Sequence, residues 1–450
     1  MVKIKDFFNE DYISFAGYDN SRKISSVSDG LKTSQRKVLY TILKNNIDSE
    51  QKEVKVEQLA AKTSEQTSYL HGATSLTGVT VGLATKYVGS NNCNLLEPDG
   101  NFGTRFIKEA SAPRYIYTYL SDIAKYIIRK EDEPILEQQT FEGQVIEPKS
   151  YYPIIPLVLV NGAEGLSVGF ASNIAPRDPK LIISWLEAKL SGKTTRKPLL
   201  PYYKGFKGTI EADPESPNKY IVKGCVAQDG LTRLVITEIP IKYTLKSYLK
   251  VLDTLCDKGV IKSYKDLSDN DQFYFEVSVK REFLEGKSND DLLQTLKLTE
   301  TVTDNLVLLD AVGQIREYND LSEILNEYYA IRYKAYESRK ANLLKSLSNE
   351  LLFYQYRKKF IEAVLAKKIQ IDRSIAEITQ QLQANNFEMI DDSYDYLLNM
   401  KISSFSIDKV KQLTEKIGNL TNQIELLNKT SIEEMWLKEL KELLKAADIR

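Results

Sequence analysis

The longest regular pattern lies near the C-terminus, where Ile407, Val410, Leu413, Ile417, Leu420, Ile424 and Leu427 recur at steps of three and four. A heptad seam of about three repeats predicts a helix that buries one narrow stripe against a partner helix. Upstream, residues 321–366 contain no Gly or Pro and interleave Leu, Ile, Tyr and Phe with Lys, Arg and Glu. That stretch predicts one long outbound helix, with the seam as its return partner. Between them, apolar clusters such as Tyr394, Tyr396, Leu397 and Leu398 fit a small helical knob at the tip. A seam of this kind is equally a structural arm and a dimerisation element.

The middle of the chain has another texture. IIPLVLV and LSVGF, separated by NGAEG, then KYIVKG, RLVITEIP and FYFEVSVK are short Val/Ile/Tyr/Phe runs bounded by Gly, Asn and Asp. They predict strands, in an α+β region spanning about 140–318. The first 130 residues read as mostly helical. Within them, VEQLAAKTSEQTSYLHGATSLTGVTVGLATKYV predicts two short helices joined by a polar turn, a pattern shared by helix-turn-helix units and ordinary helix pairs. All 13 prolines fall at or before Pro240, so the C-terminal part is free to run in long helices.

Composition narrows the possibilities. A chain of 450 residues with 42% hydrophobic content is folded and multidomain. It has no charged-then-apolar leader and no apolar run approaching the roughly 20 residues that span a bilayer, which predicts a cytoplasmic protein without a membrane partner. Cys93, Cys225 and Cys256 lack paired metal or disulfide spacing and read as ordinary thiols. The formal charge of −1 confines any nucleic-acid site to a local basic patch. With His71 the only histidine, His-rich metal sites are excluded.

Basic residues gather in SRKISSVSDGLKTSQRK (Arg22, Lys23, Lys32, Arg36, Lys37) and around GNFGTRFIKEASAPRY (Arg105, Lys108, Arg114). Such groups suit phosphate oxygens, and equally form a solvated charged face. Tyr115, next to Arg114, is a candidate nucleophile, because a phenol attacks only when a nearby cation or metal stabilises its phenolate. With 27 tyrosines in the chain, adjacency alone does not select it.

The collinear order DGLKTSQRKVLY, YLHG, DGNFGTRFIKEASAPRY, VLVNGAEGLSVGFASNIAP, VITEIP, DLSDNDQFYFEVSVK and YNDLSEILNEYYAIR resembles the breakage-reunion subunit of type IIA DNA topoisomerases over about residues 20–345. In size the chain is similar to the medium subunit of some large phages. The resemblance implies a multidomain α+β fold: a winged-helix DNA-cleavage domain (1–139), a tower domain (140–318), and a coiled coil with a C-gate for dimerisation (319–450). It implies that Tyr115 forms a 5′-phosphotyrosyl link to double-stranded DNA, that Arg114 stabilises the developing charge, and that His71 holds a phosphate or assists proton transfer. Arg22, Lys32, Arg36 and Lys37 would line the DNA path, and Leu166 would wedge into a base step.

The chain shows neither a Toprim-type Glu plus Asp-x-Asp set nor a nucleotide-binding glycine motif, so Mg²⁺ and ATP are expected on a partner ATPase/Toprim subunit, with two copies of this chain in the enzyme. A C-terminal DNA-wrapping propeller is not expected. Asp269 and Asp271 match a structural turn and are not assigned a metal. The family pattern is altered at Lys32-Thr33-Ser34, at Tyr69-Leu70-His71-Gly72 and at Ala73, and Thr74 and Gly78 occupy quinolone-contacting positions, which predicts weak quinolone sensitivity. Two other functions fit parts of the pattern. One is a non-enzymatic winged-helix DNA-binding protein dimerised by its coiled coil. The other is a tyrosine recombinase, which would need a dispersed Arg/His/Arg set and link to the 3′ phosphate.

Overall fold

The structure is a computed structural model that describes residues 4–446 apart from 196 and 391. The outer ends of the first and last expected domains, 1–3 and 447–450, lie outside the described residues. The chain divides into two compact units, one built from residues up to Lys334 together with those from Trp436 onward, the other from Ala335–Met435.

In the first unit two short helical turns (Ile4–Phe7 and Phe8–Tyr12) lead into helix α1 (Ile13–Lys23), which is followed by α2 (Thr33–Lys44), α3 (Val56–Gln66) and α4 (Ala73–Ala84). Strands β1 (Val54–Lys55), β2 (Leu96–Asp99) and β3 (Tyr117–Leu120) form an antiparallel sheet in the order β1-β3-β2. Apolar residues at helical spacing bind the three helices together: Val38, Leu39 and Ile42 of α2, Leu59 and Ala60 of α3, and Leu76 and Leu83 of α4 are all buried. Helices α2–α4 pack together beside the small sheet.

A hairpin of β4 (Ala163–Ser167) and β5 (Phe170–Ile174) follows. Two predicted strands need correction here. In IIPLVLV the last four residues, Leu157–Val160, form a buried helical turn, since a short apolar run has the same pattern in a buried helix as in a buried strand. NGAEG is not the hairpin turn. Its Ala163, Glu164 and Gly165 belong to β4, and the reversal occurs at Val168 and Gly169, where Gly169 takes φ +79°. The strands expected in KYIVKG, RLVITEIP and FYFEVSVK are present at Lys219–Lys223, Arg233–Glu238 and Phe275–Ser278. The last two are central in a four-stranded antiparallel sheet, where Leu234, Ile236, Phe275 and Val277 pack against Tyr248 and Leu252 of α5 (Leu245–Asp257).

Helix α6 (Leu321–Leu365) is the predicted outbound helix, and it runs from the first unit into the second. The division between the two units follows Lys334. In the second unit, α6 pairs antiparallel with α8 (Ile407–Lys429): Lys340 Nζ donates to Thr430 O (2.6 Å), and Lys416 Nζ meets Glu350 (3.2 Å) and Tyr354 Oη (2.5 Å). Leu413 and Leu420 of the seam are buried, whereas Ile407 at its start is 70% exposed. Helix α7 (Ile375–Ala384) supplies Ile378 and Leu382 to a knob core with Phe360, Phe387 and Leu397. Helix α9 (Ile432–Ala446) is not part of the arm. Its Trp436 is fully buried in the first unit, donates from Nε1 to Ile154 O (2.9 Å) and stacks on Tyr329. No helix of the described residues is long and apolar enough to cross a membrane.

Candidate DNA-cleavage site

The turn that carries Arg114 and Tyr115 is fixed by the start of α3. A helix leaves its first amides without internal acceptors. Here Val56 N donates to Ile116 O (3.0 Å) and Glu57 N to Pro113 O (3.2 Å), so carbonyls on both sides of Tyr115 cap the helix. Tyr115 N closes the turn onto Ala112 O (2.9 Å), and Ile116 is buried. The Tyr115 side chain itself is 70% exposed, with the Arg114 guanidinium 5.7 Å from its ring centre. A rigid backbone thus presents a phenol and a cation together at the surface.

The loop leading to this turn is anchored from the other side. Arg105 is buried, donating from Nη1 to Glu238 (2.5 Å) and from Nη2 to Ile239 O (2.5 Å), with Phe273 4.8 Å from its guanidinium. Burial lowers the pKa of this group and Glu238 opposes the shift. Arg105 therefore faces inward, and Lys108 and Arg114 remain exposed.

His71 is exposed, in the turn between α3 and α4, where Ser68 and Gly72 both take positive φ. Its Nε2 lies 2.8 Å from Tyr18 Oη, and the Tyr69 ring meets it edge-on at 5.5 Å. Its imidazole therefore lies at the surface and not in a core. Arg22 is half-buried on α1, its guanidinium 5.3 Å from the Tyr18 ring centre. Leu166 is 77% exposed on β4, so it is not a buried hairpin residue. The tip of its hairpin is docked on α1, because Val168 N donates to Asp19 (3.2 Å) and Gly165 packs so closely that a Cβ there would lie 2.4 Å from Lys23 O. Lys32 is half-buried, and burial lowers the pKa of its ammonium while Glu164 of β4 opposes. Helix α1 thus gathers Arg22, Lys32, His71 and Leu166 around one side of helices α2–α4.

Two of the expected DNA contacts have their charges paired inside the protein. Arg36 is buried and donates from Nε (2.7 Å) and Nη2 (3.1 Å) to Asp29. Lys37 is buried as well, with its Nζ on Glu147 (2.8 Å) and on Thr67 O (2.8 Å) just past α3. Both cations are used inside the protein, where an unpaired charge would be costly. Nor does the chain bring His71 to Tyr115: the Tyr115 turn caps the first residues of α3, whereas His71 lies beyond its last, along an axis of about 16 Å. Thr74 and Gly78 are both exposed on α4. Asp269 and Asp271 form a tight turn closed by paired Asp269–Gln272 backbone bonds (3.1 and 2.9 Å). Sequence reasoning does not find Tyr18 and Asp19 as site residues, since no motif marks them and His71 and Val168, which they meet, are far away along the chain; Tyr69 lies inside the YLHG motif, which gives it no role of its own.

Known proteins agree with this geometry. Residues 22–441 match the family described as the A-type subunit of DNA gyrase and topoisomerase IV. The chain is similar to the mitochondrial DNA topoisomerase 2 of Dictyostelium discoideum (33% identity over 99% of this chain and 36% of that protein). It is also similar to DNA topoisomerase 2 of Invertebrate iridescent virus 6 (34% identity, 98% of this chain and 39% of that protein). Its fold matches the crystal structure of the Plasmodium falciparum topoisomerase II DNA-binding, cleavage and re-ligation domain with a TM-score of 0.88, at 33% identity, over 99% of this chain and 64% of that one. The chain spans between a third and two fifths of the length of the first two relatives, 36% and 39%. With the family matched from Arg22 to Lys441 over the N-terminal helices, the hairpin and the long helical arm, the chain belongs to the family of DNA gyrase/topoisomerase IV A-type subunits within the type II topoisomerases.

Proposed function

We propose that this chain cuts and reseals double-stranded DNA as the breakage-reunion part of an ATP-dependent type IIA topoisomerase. The observation that carries the proposal is the exposed Tyr115 phenol beside the Arg114 guanidinium, on a turn held by the N-terminus of α3. Tyr115 Oη attacks a backbone phosphorus. A tyrosyl P–O bond forms as the bond to the 3′ oxygen breaks, the phenol gives up its proton, and the leaving oxygen takes one to become a 3′-hydroxyl. The link is 5′-phosphotyrosyl, and the reverse step reseals the strand without a new energy source. Arg114 stabilises the charge that develops on the phosphate.

Arg22 and Lys32 supply phosphate contacts, and Leu166 supplies an apolar wedge that unstacks a base step and bends the DNA. Arg36 and Lys37 act by holding the frame. Because Tyr115 and His71 lie at opposite ends of α3, a complete site draws Tyr115 and Arg114 from one copy and His71 from another, which supports a homodimer. Among the described residues no group of three or more His, Cys, Asp or Glu side chains could hold a metal ion. The proposal assigns Mg²⁺ and ATP to the ATPase/Toprim part of the enzyme. The compartment proposed is the cytoplasm, in keeping with three free thiols.

The test mixes the chain with an ATPase/Toprim subunit, supercoiled DNA, Mg²⁺ and ATP, then traps intermediates with denaturant. Relaxation and DNA blocked at its 5′ ends are expected, with Tyr115→Phe retaining binding and losing the adduct. Adduct in Tyr115→Phe, or blocked 3′ ends, refutes the assignment. DNA binding without adduct in any variant leaves a non-enzymatic winged-helix protein.

A further inference from the structure

His71 is held by a residue outside the motifs that carry the family resemblance. Tyr18 Oη lies 2.8 Å from its Nε2, although 53 positions separate the two in sequence. The Tyr18 ring is fixed in turn by the Arg22 guanidinium on its face (5.3 Å). Its helix is tied down through the neighbouring Asp19, which receives Val168 N (3.2 Å) and Lys23 Nζ (3.0 Å). On the other flank Tyr69 meets the imidazole edge-on, and its own hydroxyl is held at 2.9 Å by Ser75 Oγ, which also donates to Gly72 O. An exposed histidine is thereby clamped between two anchored aromatic rings.

The contact has a chemical consequence. A phenol keeps its proton at pH values where an imidazole is already neutral. A neutral phenol can also accept from an imidazole N–H, but its O–H is the stronger donor and a bare imidazole nitrogen the stronger acceptor, so in the Tyr18–His71 pair the favoured arrangement has the phenol donating and Nε2 of the neutral ring accepting. The ring's own proton must then sit on Nδ1, the atom not engaged by Tyr18. Charged or neutral, the imidazole offers an N–H from Nδ1.

We propose that Tyr18 is a positioning residue that fixes the Nδ1–H tautomer of His71, so that His71 serves the cleavage reaction as a hydrogen-bond donor to a phosphate oxygen rather than as a base. The role in cleavage rests on the topoisomerase assignment above; the tautomer does not. Arg22, Tyr18 and His71 form one relay, in which a cation, a ring and a donor are set by a single helix.

The chain's single histidine makes the test direct, because ¹⁵N-histidine labelling of the full chain places one imidazole in the spectrum. At a pH where the ring is neutral, the unaltered protein is expected to show protonated Nδ1 and bare Nε2. Tyr18→Phe, which keeps the ring beneath Arg22, is expected to shift the population toward Nε2–H. Protonated Nε2 in the unaltered protein, or an unchanged tautomer in Tyr18→Phe, overturns the proposal.

The second arm measures adduct formation in the reconstituted enzyme. Tyr18→Phe should slow it about tenfold, as expected for loss of one positioning hydrogen bond, and should add nothing on a His71→Ala background. Full-rate cleavage by Tyr18→Phe, or independent losses in the double variant, overturns the proposal while leaving the topoisomerase assignment intact. Absence of adduct in the unaltered enzyme refutes that assignment and with it the proposed role, whatever the tautomer.

Discussion

Replacing Arg105 by Met should destabilise the first unit far more than removal of a surface arginine would. Arg105 and Glu238 have side chains only 3% and 4% exposed and approach to 2.5 Å. Glu238 also accepts Ile239 N (2.9 Å) and Lys207 N (3.1 Å), so without Arg105 its carboxylate stays buried with two amide donors and no cation. Breaking a buried pair from one side costs about 3–5 kcal/mol, because the desolvation of the remaining charge is no longer offset. Both tryptophans, Trp185 and Trp436, belong to the first unit, so fluorescence during urea titration follows that unit alone. With a denaturant dependence on the order of 3 kcal/mol per molar, the midpoint should fall by about 1 M or more. The double variant Arg105→Met/Glu238→Gln should recover over half of that loss, because it removes the orphaned charge. A single-variant midpoint close to that of the unaltered protein, or a double variant weaker than the sum of the singles, would refute the reasoning. If the pair anchors the loop before Tyr115, adduct formation should decline with it.

Three other outcomes are expected. Leu166→Ala should leave the urea midpoint unchanged, since the side chain is 77% exposed, and should reduce DNA bending measured by fluorescence transfer between labelled duplex ends. Leu420→Ala, at a seam position only 5% exposed, should cost the second unit about 2–4 kcal/mol, read as earlier loss of protection in α8 by hydrogen exchange. The hydrogen bond from Lys23, helped by Val168 N–H, holds the Asp19 carboxyl below its ordinary value. A depressed carboxylate contributes stability above the unfolded pKa and loses it as pH falls through the folded value, so the Val168 amide should lose exchange protection only below the usual carboxylate range.

Legibility in the sequence follows the length of the pattern. The outbound helix, predicted over 321–366, is found at Leu321–Leu365, and the seam lies in Ile407–Lys429, because a long stretch without a helix breaker and a sustained heptad leave no competing element. Short apolar runs carry less. Leu157–Val160 is a helical turn despite its strand-like composition, since full burial on every side removes the alternation that separates the two states. The expected third domain takes in α9 because nothing local marks the return of Trp436 to the first unit. Its partners Ile154 and Tyr329 lie more than a hundred residues away.

The candidate site shows the same limit in terms of charge. A basic residue announces a cation, and the sequence leaves its partner open. Arg22, Arg36, Lys37, Arg105 and Arg114 look alike as letters; in the structure Arg36, Lys37 and Arg105 face Asp29, Glu147 and Glu238 inside the protein, and Arg22 and Arg114 rest on Tyr18 and Tyr115 at the surface. A buried cation must find its carboxylate from wherever the fold brings one, here 7 to 133 positions away. A cation that meets a phosphate must keep its fork in solvent. Arg22 and Arg114 are the arginines of this set that meet that condition, each beside a tyrosine whose hydroxyl has a use of its own. The two tyrosines differ in one respect. Tyr18 directs its hydroxyl to His71, and Tyr115 extends into solvent.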